Sequence, residues 1–362
     1  MKAEKKNFKI LLFVFFFRLC PLKLFCIFPD QYIDDRVKEL KTRPEYSECE
    51  DFVDSAVWYA KKYTELHGGD SLHKMSAWGF GYWSRFEIDG DVTIKNGYST
   101  LLAHMLCDIG LEKLRLNEPV INIDWSRKDC ILVHTSRAKL TCKHVLVTFP
   151  LGVLKSTHLQ LFMPNLPERK VAAIQSMGYG QLEKIFLYWE RPFWKPGELN
   201  CLKFCSTQNQ RASIIEQGNE FVDIINGFEE LSSTNNVLLG WITGDNVERF
   251  CQYPIENIIK KCSELIRIYT QNDSIPDADN ILITEWCKNR FIRGSYTYPS
   301  MTTESPQEFI ALSEPIDNRI FFSGEAMHPR YFSAVHGAIE SAIDAADAIY
   351  RLSEIHFHKS KL

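Results

Sequence analysis

The sequence predicts a mixed α/β fold (α+β in its arrangement) built as two domains, and three observations predict it. The first is the stretch Arg319 to Leu352. Three apolar residues in a row, Ile320-Phe321-Phe322, break at Gly324-Glu325-Ala326 and lead through a polar and aromatic loop into helical spacing after Ser333. The second is the mixture of periods. Runs with 3.6-residue spacing alternate with short β-branched runs of period two along the chain. The third is length: 362 residues bury one large core or two medium ones.

Residues 31–66 read as two helices. In the second, Phe52, Val53, Ala56, Val57, Ala60 and Tyr63 share a face, and Gly68-Gly69-Asp70 ends it. Trp78, Phe80, Tyr82, Trp83 and Phe86 follow, an aromatic stretch that suits either core packing or the wall of a substrate cavity. Asp89-Gly90-Asp91 is a turn. Lys95-Asn96-Gly97-Tyr98 enters a helix carrying Leu101, Leu102 and Met105. Pro119 to Trp125 alternates as a strand, and Ile131-Leu132-Val133 and Val145-Leu146-Val147 are further strands. Pro150-Leu151-Gly152 then leaves the sheet. A helix from Glu168 to Met177 precedes Gly178-Tyr179-Gly180 and the strand Leu182 to Trp189. Alternation there sets Lys184, Phe186 and Tyr188 against Ile185, Leu187 and Trp189. Val237 to Ile242 and Ile281 to Thr284 are strands on either side of an amphipathic helix marked by Ile258, Ile259, Cys262, Leu265 and Ile266.

Composition narrows the function classes. A hydrophobic content of 45% and a charged content of 24% are those of an ordinary globular protein. A net charge of −4 gives no electrostatic footprint for nucleic acid. The 11 cysteines are scattered and form no C-x-x-C pair, which predicts reduced thiols and no zinc site. The apolar run Ile10 to Phe17 follows lysines as in a secretory leader, but Arg18 cuts it short, and it is too short to span a bilayer. The chain ends in Ser360-Lys361-Leu362, a tripeptide read at a C-terminus by the peroxisomal import receptor. The expected location is the peroxisome, with secretion or the cytoplasm as alternatives.

The corner at Gly324 also has a chemistry. Small residues recur after it: Ala334, Gly337, Ala338, Ser341, Ala342, Ala345 and Ala346. A helix of that kind lies close to a neighbouring backbone or a flat ligand, and its free N–H groups favour electron-rich oxygens. A glycine for close approach, a carboxylate beside it and a helix N-terminus suit a nucleotide cofactor. They suit a well-packed strand–loop–helix equally well.

Four motifs resemble the flavin-dependent amine oxidases, most closely the polyamine oxidase branch. Gly324-Glu325-Ala326-Met327-His328 and Ser333-Ala334-Val335-His336-Gly337-Ala338 are similar to its C-terminal flavin segment, with Met327, Ala334 and Val335 where the family has threonines. Gly178 and Gly180, then Lys184 in its strand, then Pro192-Phe193-Trp194 resemble a second segment. Arg293-Gly294-Ser295-Tyr296-Thr297-Tyr298 resembles a third, and Asn96-Gly97-Tyr98 a fourth. The resemblance covers roughly residues 70–352. It implies FAD as cofactor, held by Val120 through its backbone and by Glu325, Ala334 and Val335. It implies catalytic roles for Lys184, which would hold a water near the flavin's reactive nitrogen, and for Tyr296, which would stand beside the flavin face. Tyr298 would meet the substrate. Read from the residues alone, Lys184 is more readily a solvated strand lysine, and Tyr296 can also be a turn tyrosine in the core. The implied reaction is oxidation of polyamine secondary amines by molecular oxygen, with release of hydrogen peroxide.

The family's opening G-x-G-x-x-G turn, which holds the flavin pyrophosphate, is not found; Gly79-Phe80-Gly81 and Gly178-Tyr179-Gly180 lack the third glycine. Two functions therefore compete: a polyamine oxidase, or a truncated, non-catalytic member of the family that binds no FAD. The expected organisation is a leader at 1–30, the helical part of a substrate domain at 31–90 and a flavin-domain segment at 91–150. The substrate domain, with a mixed sheet, continues over 151–296. A second flavin segment occupies 297–352 and a tail 353–362. The flavin domain is thus discontinuous and lacks its first Rossmann unit.

Overall fold

The structure, a computed structural model, describes residues 29–43, 49–83, 94, 96–231, 233–303 and 306–359. Residues 1–28 of the expected leader, the Asp89-Gly90-Asp91 turn, Phe86 and Ser360-Lys361-Leu362 lie outside the described residues. The chain divides into two compact units, each made of two segments: 1–82 with 177–305, and 83–176 with 306–362. These boundaries differ from the expected ones, because 151–176 joins the second unit and 297–305 the first. Bonding between segments distant in sequence explains both shifts. The Lys170 amine donates to the carbonyls of Ala311 and Leu312 at 2.7 and 2.8 Å, tying 151–176 to the later segment. Strand Thr297–Tyr298 pairs with Gly178–Tyr179, tying 297–305 to the earlier one.

The first unit is built on a five-stranded sheet. In spatial order its strands are Asn280–Ile283, Leu182–Tyr188, Val237–Thr243, Gly227–Glu230 and Cys201–Lys203. Every pairing is antiparallel, which corrects the expectation of a mixed sheet here. An antiparallel sheet needs only one covered face, and the strand Leu182–Tyr188 shows it. Ile185 and Leu187 are fully buried in a core with Phe228, Phe250, Cys262 and Leu265, while Lys184 and Phe186 are half-buried and Tyr188 is exposed. The helix Ile255–Thr270 supplies the cover, presenting Ile258, Cys262, Leu265 and Ile266. Trp189, Phe193 and Trp194 close one end as edge-on aromatic pairs with centroids 4.7–5.5 Å apart. The Pro-Phe-Trp motif is thus a packing cluster.

The helices Pro29–Lys41 and Glu50–Gly68 belong to the same unit. Glu50–Gly68 stops where Gly69 turns left-handed, at φ +81°. A side chain at Gly69 would strike the Tyr296 ring at 2.6 Å, so glycine is required twice over. A small second core gathers Ile33, Leu72, Met75 and Tyr298, with Phe80 packed against it.

The second unit holds the mixed sheet: Lys139–Cys142, Ile131–Thr135 and Val120–Asp124 are antiparallel, and Phe162–Met163 runs parallel to Val120–Asp124. A separate parallel pair joins Val145–Val147 to Ile320–Phe322, all three of whose residues are buried. The helix Val335–Lys359 follows the Gly324 turn. The helix Tyr98–Ile109 is unlike the others, because it buries none of its residues. Leu102, Met105 and Ile109 are each about half exposed.

Candidate functional site

Sequence reading places seven residues at the site. Three lie in the first unit and four in the second, and each group is described within its own unit.

Lys184 sits on the sheet face opposite the main core. Its backbone is pinned on one side by Thr284, whose hydroxyl accepts the Lys184 N–H at 2.8 Å and whose own N–H donates to the Lys184 carbonyl at 3.0 Å. Across the ladder it stands opposite Trp241, and its ammonium lies 5.7 Å from the centre of the Trp286 ring. Phe186 and Leu239 extend the same face. Lys184 is thus held among aromatic side chains.

The residue before it, Glu183, was not expected to matter. It is 1% exposed, yet its carboxylate is fully engaged. One oxygen accepts the Thr284 hydroxyl at 2.6 Å and the Trp286 N–H at 3.0 Å, and the other accepts the Cys287 N–H at 2.8 Å. Glu183 therefore sets the turn that carries Trp286 toward Lys184. Burial beside this carboxylate pushes the Cys287 thiol up to about 12, which makes it inert. A glutamate at a core-facing strand position was the available signal.

Tyr296 is half-buried, and its hydroxyl donates to the Leu66 carbonyl. Its carbonyl accepts from Gly180, while the Ser295 N–H donates to the Gly180 carbonyl at 2.8 Å. A side chain at Gly180 would collide with the Gly69 carbonyl at 2.5 Å. The Gly-Tyr-Gly and Gly-Gly-Asp segments are glycine-rich because Tyr296 is clamped between them. Tyr298 is 4% exposed in the small core, and its hydroxyl donates to Asp70 at 3.0 Å. Burial, then the Asp70 charge, raises its pKa further out of the physiological range. The geometry gives Tyr298 a supporting place behind Tyr296.

In the second unit, Gly324 leaves its strand at φ +151°, and a side chain there would meet nothing within 4 Å. Its glycine is required by backbone conformation, and the space beside it is open. Ser341 clamps this peptide, accepting the Gly324 N–H and donating to the Gly324 carbonyl, each at 3.0 Å. Glu325 accepts the N–H of Ser333 at 3.0 Å, closing the loop ahead of the helix. Ser333 itself is left-handed at φ +64°. Ala334 is half-buried, and Val335 is 44% exposed at the first turn of the helix. Gly337 lets that helix touch the Tyr331 carbonyl, which a side chain would meet at 2.0 Å. His328 accepts the N–H groups of Arg330 and Tyr331 at Nδ1, so its proton is on Nε2, 3.0 Å from Glu340. Val120 opens its strand opposite Thr135, with a register shift before Asn122 that frees the local ladder.

A flavin's ring and ribose end fits this second group: an open flank at Gly324, a carboxylate, a helix N-terminus and a strand backbone. Its pyrophosphate end finds no glycine-rich strand-to-helix turn among the described residues. No group of three or more His, Cys, Asp or Glu side chains there is placed to hold a metal ion. No helix among them is long and apolar enough to cross a membrane.

Comparison with known proteins defines the class. A family model for flavin containing amine oxidoreductase matches residues 28–350, and the chain belongs to that family. It is 29% identical over 283 residues to the human peroxisomal N(1)-acetyl-spermine/spermidine oxidase, covering 72% of this chain and 55% of that protein. It is 27% identical over 273 residues to polyamine oxidase 6 of Oryza sativa subsp. japonica, covering 73% and 52%. It is also 29% identical over 283 residues to lysine-specific histone demethylase 1B of Mus musculus, covering 78% and 33%. The chain thus spans about half the length, or less, of these curated relatives. Among solved structures, the cyclohexylamine oxidase from Brevibacterium oxydans IH-35A superposes with a TM-score of 0.59 at 17% identity, covering 83% of this chain and 68% of that one, which shows the shared fold. The chain is of an oxidoreductase family whose members contain flavin. The match across its length lends no support to the reading of a non-catalytic remnant.

Proposed function

We propose that the chain takes part in FAD-dependent oxidation of the secondary amines of polyamines in the peroxisome, giving an aldehyde and an amine after hydrolysis of the imine. The observation that carries the reading is the seating of Lys184 on an aromatic sheet face, opposite Trp241 and beside Trp286. Bound flavin supplies the hydride acceptor, which molecular oxygen returns to its oxidised state with release of hydrogen peroxide.

This chain's residues supply the surroundings. An amine gives up a hydride only when it is uncharged, and the aromatic face around Lys184 favours a neutral amine by excluding water. The Lys184 ammonium repels a charged amine at that point and has N–H donors left to hold a water. Tyr296, locked through Leu66 and Gly180, offers a ring that cannot swing away. Glu325, Ala334, Val335 and the backbone of Val120 would hold the cofactor in the second unit. The names of the human and rice relatives support the polyamine reading, and the histone demethylases at similar identity make it one to test.

The test is anaerobic titration of the FAD-loaded protein with spermidine, spermine and N1-acetylspermine. The expected result is bleaching of the flavin band by at least one of them, and peroxide release on readmitting oxygen. Loaded protein whose flavin no polyamine bleaches would overturn the reading.

A further inference from the structure

The sheet face that carries Lys184 also carries an acidic group with no hydrogen bond or ion pair among the described residues. Glu229 lies opposite Leu239 on the next strand but one, and Leu239 in turn lies opposite Phe186. Directly paired residues share a face, and so do residues two apart, which puts Glu229, Leu239, Phe186, Trp241 and Lys184 on one side of the sheet. Two strand spacings and two residue steps separate the backbones of Glu229 and Lys184, roughly 12 Å. An electrostatic effect of Lys184 on Glu229 is present, while no ion pair forms between them among the described residues.

Glu229 is half-buried, and its carboxylate makes no hydrogen bond or ion pair among the described residues. The Lys203 ammonium lies 5.1 Å from the centre of the Tyr59 ring. Tyr59 and Cys201 come near on the same side, Cys201 directly opposite Glu229 in the ladder. Burial raises the carboxylate's pKa, the mark of a charge that has lost water without gaining a partner. Such a group carries a standing cost that a bound cation removes.

We propose that Glu229 is a specificity residue which receives the distal ammonium of a polyamine whose reacting amine lies toward Lys184. This rests on the reading under Proposed function. Charge gives the ligand its direction. The positive Lys184 disfavours a protonated amine at its end of the face, and the unpaired carboxylate favours one at the other. The half-buried Phe186 and Trp241 on the same face suit the methylene spacer.

The experiment measures binding without turnover, by quenching of tryptophan fluorescence in the full chain. Spermidine is compared with N1,N8-diacetylspermidine, which keeps the secondary amine and loses both terminal charges. The expected result is that Glu229→Gln weakens spermidine binding at least about tenfold while changing the diacetyl form less than about twofold. Glu229→Asp, which keeps the charge, should restore most of the affinity. Equal weakening of both ligands, no weakening of either, or a wild-type chain that does not bind spermidine would each overturn the proposal. A wild-type chain that binds spermidine through Glu229 but does not oxidise it would count against the proposed reaction alone.

Discussion

Glu183 and Lys184 are neighbours on one strand with opposite tasks, and substitutions should separate them. Glu183 faces inward and accepts three hydrogen bonds from the Thr284–Cys287 turn. Glu183→Ala leaves the N–H groups of Trp286 and Cys287 buried without an acceptor. The expected cost is about 3 kcal/mol, read from the midpoint of urea unfolding. Lys184 faces outward and is pinned only through its backbone. Lys184→Met should leave the unfolding midpoint nearly unchanged. In FAD-loaded protein it should lower amine turnover or flavin reoxidation by on the order of 10²-fold. A variant that lost stability and activity together would show that Lys184 is structural.

Two helices of the second unit are held at their carboxyl ends by lysines. Lys155 donates to the carbonyls of Ile174 and Gln175, the last turn of Glu168–Ser176, at 2.9 and 2.8 Å. Lys170 does the same for Gln307–Ser313 and lies 4.0 Å from the centre of the Phe322 ring. Burial pushes the Lys170 amine down to about 7, Arg169 adding to the effect and Glu314 opposing it. The sign of the linkage follows. Unfolded, the amine keeps its proton up to its ordinary value near 10.5, so between about 7 and 10.5 the unfolded chain binds more protons and stability rises with pH. That contribution is complete above the upper limit and lost as pH falls through the lower. Lys170→Met removes both the cap and the titration. Its melting temperature should fall below that of wild type, and the gap should widen from pH 7 to pH 10. The helix Tyr98–Ile109 makes the contrasting case. Its exposed Leu102, Met105 and Ile109 form an apolar surface of the kind that drives association. Leu102→Gln with Met105→Gln should reduce light scattering of the concentrated protein and leave its melting temperature within a few degrees.

At the scale of the whole molecule, the discontinuous organisation makes distant segments depend on one another. Each unit is closed by a late segment returning to an early one: Tyr298 and Ser300 onto Asp70 and Met75, and Ile320–Phe322 onto Val145–Val147. The proposed peroxisomal location is a molecular property of another kind, and its test lies in the tripeptide Ser360-Lys361-Leu362. A tagged chain with a free C-terminus should enter peroxisomes, and deletion of Ser360-Lys361-Leu362 should disperse it. Secretion of the intact chain would show that the leader overrides them.

What the sequence by itself determined is whatever period and punctuation encode. The long strands and the amphipathic helix Ile255–Thr270 were legible because burial on one face imposes a repeat. The Gly324 turn and the outward face of Lys184 were legible for the same local reasons. Two-residue strands such as Gly178–Tyr179 and Thr297–Tyr298 were not, because so short a strand exists only through its partner. The antiparallel order of the first unit's sheet and the place of 151–176 were decided by contacts between residues more than ninety positions apart. Tyr296 and Tyr298 look alike in sequence. Only tertiary packing placed one half-open beside Gly69 and the other in the core on Asp70. Glu183 and Glu229 divide in the same way. Each is a glutamate in a strand, and only the chain folded around it supplies a full set of donors to the first and, among the described residues, none to the second.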